Sequence, residues 1–136
     1  MIILFSNFTS AQNPNYKALW DKVEKLEVEG LPKSALKIVE DISAKAKKDK
    51  NHPQLIKTML FKSKFALVLE EDAQLKIIND FKSEIEASEF PTKNVLENIL
   101  ANLYWQYFNQ NRYKFYNRTK TEAKVDSEDF RTWDLQ

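Results

Sequence analysis

A single glycine serves all 136 residues, and no other feature narrows the fold as much. Gly30 alone cannot furnish the tight turns of a β-sandwich or a loop that cradles phosphate. Ala, Leu, Lys, Glu and Gln abound instead, so helices joined by short turns are the reading that remains.

With 43% hydrophobic and 12% aromatic residues, the chain can bury one compact core without disulfides or a metal. Its 21 basic and 20 acidic residues leave a net charge of +1, so no global field draws it to nucleic acid, anionic membrane or acidic substrates. A charge-based partner must read a local patch. The absence of cysteine removes thiol nucleophiles, cysteine metal sites and disulfides, and suits cytoplasm and periplasm equally.

The apolar spacing predicts five helices. Tyr16, Leu19, Trp20, Val23 and Leu26 form one stripe, and Gly30 stands where a left-handed C-cap is needed. Leu31-Pro32 restarts the chain, and Ala35, Ile38, Val39, Ile42 and Ala46 repeat the stripe before a polar Lys47 to Asn51. The intervening turn is so short that these two helices must run antiparallel. A third helix starts at His52-Pro53, with Ile56, Met59, Leu60 and Leu67 on its face and Phe61 and Phe65 beside it. Asp72 caps a fourth that buries Leu75, Ile78, Phe81 and Ile85 and ends before Phe90-Pro91. A fifth, the longest, runs from about Thr92 past Phe108. The odd helices start at Tyr16, Pro53 and Thr92, 37 and 39 residues apart, the period of a helix-pair repeat. The expectation is an all-α stack of antiparallel helix hairpins, tetratricopeptide-like but without that consensus, or else an ordinary bundle of hairpins. The helical domain takes residues 13–116, and 117–136 form an irregular tail leading to a following domain.

Met1-Ile2-Ile3-Leu4-Phe5 is an apolar run followed by small and polar residues, like the end of a secretory signal, with Ala11 and Gln12 flanking the natural cleavage point. It lacks a basic n-region. Residues 1–12 are therefore either a clipped signal or an apolar arm lying on the domain. No later segment approaches the roughly 20 apolar residues of a transmembrane helix.

The inventory of reactive groups is short. His52, the one histidine, lies in a turn before proline with no cysteine or serine elbow to pair with, so it reads as a turn or cap residue and the chain as no enzyme. Glu70-Glu71-Asp72 is the densest acidic cluster, but hard cations want ligands wrapped round them at loop spacings, so helix-start charge is the better reading. No cofactor or metal is expected. The lysines at 45, 47, 48 and 50 read as a solvated helix C-terminus. Asn94, Asn98, Asn102, Gln106 and Gln110 form an amide track that drifts about 40° per step round the fifth helix. Arg112-Tyr113-Lys114-Phe115-Tyr116-Asn117-Arg118 interleaves basic and aromatic residues, the pairing of single-strand nucleic-acid binders. Its aromatics also continue those of Tyr104, Trp105, Tyr107 and Phe108, and with net charge near zero packing outranks nucleic-acid binding, which stays as the alternative function.

Leu19-Trp20, Val23-Glu24-Lys25-Leu26, Gly30 to Leu36, Leu69 to Ala73 and Leu103 to Tyr107, with Asn111-Arg112-Tyr113, Asn117-Arg118-Thr119 and Phe130 to Leu135, together resemble the N-terminal helical region of large bacterial alpha-2-macroglobulin-like proteins. The likeness covers about residues 16 to 135. It implies an exported protein of the periplasm or cell envelope whose macroglobulin domains trap or sense proteases, with this region as a helical interaction or spacer domain. Bait region and thioester would lie beyond residue 136, and no cysteine is present for a thioester or a lipid anchor. The expected partners are the downstream macroglobulin domains of the same chain or another envelope protein, not nucleic acid. The expected contact is Tyr104, Trp105, Phe108, Arg112, Tyr113 and Phe115 with Phe130 and Trp133, since a continuing chain would cover apolar groups at that end.

Overall fold

The computed structural model describes residues 14–116 and 129–133. Among them are five α-helices, a short 3₁₀ turn and no strand, so the fold is all-α. The helices are α1 (Pro14–Val28), α2 (Pro32–Lys48), α3 (His52–Leu69), α4 (Ala73–Glu86) and α5 (Thr92–Tyr116), followed by the turn at Phe130–Thr132. The apolar run Met1 to Phe5, the Ala11–Gln12 junction, Arg118 and Leu135 lie outside the described residues.

The first two turns are built alike. After α1, Gly30 sits at φ 71°; its N–H bonds the Glu27 carbonyl at 3.0 Å, and the Leu31 N–H bonds Leu26 at 2.9 Å. This closes the helix with the paired bonds of a Schellman motif. After α2 the pattern recurs, Lys50 to Lys47 at 3.2 Å and Asn51 to Ala46 at 2.9 Å, with Lys50 at φ 51° where glycine would be at ease. Asn51 then caps α3, its Oδ1 accepting from the Gln54 N–H at 3.3 Å. The Phe90–Pro91 peptide between α4 and α5 is cis.

Side-chain bonds fix the helix directions. Tyr16 at the start of α1 donates to Asp49 just past α2 at 2.8 Å, so these helices are antiparallel. Glu27 near the end of α1 pairs with Lys64 in the last turns of α3, while Trp20 Nε1 reaches Gln54 near the α3 start at 2.6 Å. His52 Nδ1 lies 2.6 Å from Thr92 Oγ1, which levels the starts of α3 and α5. Lys47 and Glu84 pair at 2.7 Å near the ends of α2 and α4. The odd helices thus run one way and the even helices the other.

One core cluster gathers Tyr16, Val23, Ala35, Val39, Ile42, Ala46, Leu55 and Phe65 between α1, α2 and α3; a second joins Met59, Ala66, Ile77, Phe81 and Leu96 between α3, α4 and α5. The α2 stripe matches expectation, with Ile38 half-buried. α3 does not: Leu60 and Leu67 are exposed, and Phe65, with Leu55, Thr58, Met59 and Ala66, forms the buried set. α3 is apolar on nearly every side because it packs between two hairpins, so spacing alone does not single out its inward face. In α4 Ile78 and Phe81 are buried as expected and Ile77 joins them, while Leu75 and Ile85 are half-exposed. The lysines closing α2 are not merely solvated: Lys45 pairs with Asp49 at 2.9 Å and Lys47 bridges to α4.

Candidate interaction surface at the far end of the fifth helix

The far end of α5 projects because of its length. α5 has 25 residues and α3 has 18, and their starts are level. The last turns of α5 therefore outrun α3 by about 10 Å. Tyr113, Phe115 and Tyr116 lie in this overhang, and Tyr104, Trp105, Tyr107 and Phe108 directly precede it.

The tail returns to meet them. Asp129 caps the 3₁₀ turn, its Oδ1 accepting from the Arg131 N–H at 3.0 Å, and its carboxylate pairs with the Arg131 guanidinium at 2.8 Å. That guanidinium also donates to Asp72 at the start of α4, at 2.8 Å. Asp72 occupies the N-cap position of α4 but makes no cap bond with its side chain; it is the catch of this latch. Arg131 beside Asp129 holds that carboxyl below the usual carboxylate range. Phe130 is thereby pressed inward until 3% of it is exposed.

Between α5 and the turn lies an apolar groove of about 500 Å³, lined by Tyr104, Trp105, Phe108, Phe115, Phe130 and Trp133 together with Ala101 and Tyr107. Phe130 meets Tyr104 and Tyr107 edge-on at 5.6 and 4.6 Å, and Trp133 stacks on Tyr104 at 5.6 Å. Trp105, Phe108 and Phe115 continue the wall at 5.8 and 5.7 Å. These are distances at which rings attract beyond simple burial. Trp105 nonetheless remains 62% exposed.

Six of the eight residues expected at an interface are thus brought together in one groove. Arg112 and Tyr113 stand outside it, exposed, the guanidinium 5.1 Å from its neighbour's ring. The basic-aromatic run is divided by helix geometry: Phe115 turns inward to pack, while Tyr113 and Tyr116 turn out. The groove offers ring faces and a few hydroxyl and indole groups, which suit an apolar partner.

Elsewhere, His52 begins α3 and ties it to the buried Thr92. Among the described residues no group of three histidine or acidic side chains is placed to hold an ion, and no helix is long and apolar enough to cross a membrane. Two features escaped the sequence. Lys62 lies half-buried between α2 and α4, its ammonium pKa lowered chiefly by burial, with one hydrogen bond, to Ser43 Oγ at 3.3 Å. The outer face of α3 carries Leu60, Leu67 and Val68, which are 48%, 63% and 69% exposed. The signal for that face was the excess of apolar residues in α3, more than one stripe can bury.

The chain matches no known protein family, no curated protein and no solved structure.

Proposed function

We propose that this chain is a non-enzymatic helical interaction or spacer domain, a tetratricopeptide-like stack of two and a half helix pairs, at the N-terminal end of an exported alpha-2-macroglobulin-like protein. The aromatic groove at the far end of α5 is its contact with the macroglobulin part of the same chain. One observation carries the contact: an apolar groove with Trp105 62% exposed, walled by a returning segment that an ion-pair latch holds in place. A soluble monomer leaves few contiguous apolar patches open to water, and those it leaves are usually interfaces. The common direction of the odd helices, and of the even ones, supports the stack. Export and family rest on the resemblance of the residues set out above.

Reading the encoding gene ahead of Met1 and past codon 136 tests the proposal. A basic n-region upstream and a long β-rich reading frame downstream are expected. A stop codon directly after Gln136, with no signal ahead of Met1, would overturn it. Salt-dependent oligonucleotide binding that Arg112→Ala and Lys114→Ala weaken would then favour the nucleic-acid reading.

A further inference from the structure

A second concavity, of about 160 Å³, opens between α3 and α5. Its floor is apolar, with Ile77 and Ile78 of α4 and Leu103 of α5, and its rim carries the amides of Gln74, Gln106 and Gln110. The last two end the amide series of α5. None of the three amides has a hydrogen-bond partner among the described residues. The space is close to the ~150 Å³ apolar cavity that a benzene ring fills, too small for most cofactors and right for one aliphatic side chain. Each rim amide supplies both a donor and an acceptor, which are what a peptide backbone requires.

The neighbouring face of α3 adds charge. Leu67 at the mouth of the crevice leads onto the exposed stripe of Val68, Lys64, Leu60 and Lys57. α3 has no carboxylate of its own. Lys64 reaches back to Glu27, but Lys57 lies 4.0 Å over the Trp20 ring and has no ion pair among the described residues.

We propose that this crevice docks an extended peptide from a partner protein. One aliphatic side chain fills the floor, the rim amides bond the peptide backbone, and an acidic residue meets Lys57. The rise from Lys57 to Leu67 is about 15 Å of helix, which an extended chain covers in about four or five residues, and this sets the spacing between anchor and acid. An anionic lipid surface fits less well, because the apolar floor is recessed and two lysines give little attraction. The proposal rests on the interaction reading rather than the spacer reading; the crevice adjoins the aromatic groove, with Tyr107 and Phe130 as their common wall, but Trp105 lines only the groove and Gln106 and Gln110 only the crevice.

The test titrates the full chain into fluorescein-Glu-Glu-Ser-Ser-Ser-Leu-Ser-Ser-Ser-Glu-Glu-amide, which places glutamates four and five residues from its anchor on both sides so that either chain direction fits. Saturable binding is expected. Serine in place of the peptide leucine should weaken it about tenfold or more. The exposed double variant Gln106→Ala/Gln110→Ala should weaken it about tenfold while keeping the wild-type melting temperature. Lys57→Glu should shift preference to the peptide with lysines in place of its glutamates. Absence of saturable binding would overturn the proposal, as would binding indifferent to the leucine and the two glutamines. So would a chain that ignores the peptide yet binds phosphatidylglycerol vesicles through Leu60 and Lys57. The aromatic groove is read separately through Trp105 emission, so either site can fail while the other stands.

Discussion

α2 and α5 show what position does to an apolar helix. α2 buries Ala35, Val39, Ile42, Ser43 and Ala46 along its whole length, with α1 and α3 against it. α5 is eight residues longer and richer in aromatics, yet buries only Thr92, Leu96 and Phe115. The difference is cover, not composition: α2 lies between neighbours of its own length, whereas α5 is the last α-helix among the described residues and outruns α3. Stability should therefore sit in the first three helices, and the far end of α5 should behave as a surface.

The largest effect expected is in α2. Ile42→Ala removes a fully buried side chain and should cost about 3–4 kcal/mol in chemical denaturation. A cost below about 1 kcal/mol would erase the contrast with α5. Phe130→Ala should cost less, about 2 kcal/mol, because the turn can peel away rather than leave a sealed void. Faster amide exchange confined to residues 129–133 and the adjoining turns of α5 would show it.

The join between α1 and α2 has a pH signature. Burial, followed by the hydrogen bond to Asp49 and its negative charge, pushes the Tyr16 hydroxyl up to about 12 from an ordinary 10.0. The folded state keeps this proton where the unfolded chain sheds it, so the contribution is whole below pH 10 and is lost as pH rises through about 12. Asp49 is held low, first by Lys45 and then by Tyr16, so its contribution is present above 3.8 and lost as pH falls through its folded value. Tyr16→Phe should flatten the alkaline fall in stability and lessen the acid one. An unchanged alkaline profile would mean the hydroxyl is not buried against α2. Smaller again, Lys50→Gly should raise stability by about 0.5–1 kcal/mol by relieving a left-handed lysine.

Much of this was legible from punctuation. Gly30, Pro32, Pro53 and Pro91 mark the breaks between helices because each restricts or frees the backbone in a way no neighbour can undo. The stripes of α1 and α2 were readable because each helix has one inward side. α3 was not, since it faces neighbours on several sides; Leu60 and Leu67 have the right spacing and the wrong exposure. The aromatic groove was half visible. The rings of α5 stood out, but the latch that brings Phe130 to them joins Asp72 to Arg131, 59 residues on, and no local pattern announces such a pair. The Lys47 to Glu84 bridge escaped for the same reason, since each charge also reads as ordinary helix-end solvation.

The smallest effect on stability is the one that matters most for function. Trp105→Ala should change stability by less than about 0.5 kcal/mol, because the ring is mostly in water. The direct measurement is acrylamide quenching of Trp105 in a Trp20→Phe/Trp133→Phe background, comparing the 136-residue chain with one extended by the codons that follow it in the gene. Open access in the short chain and protection in the extended one is the predicted result. Equal quenching in both would contradict the assignment of the α5 groove as the contact with the rest of the protein.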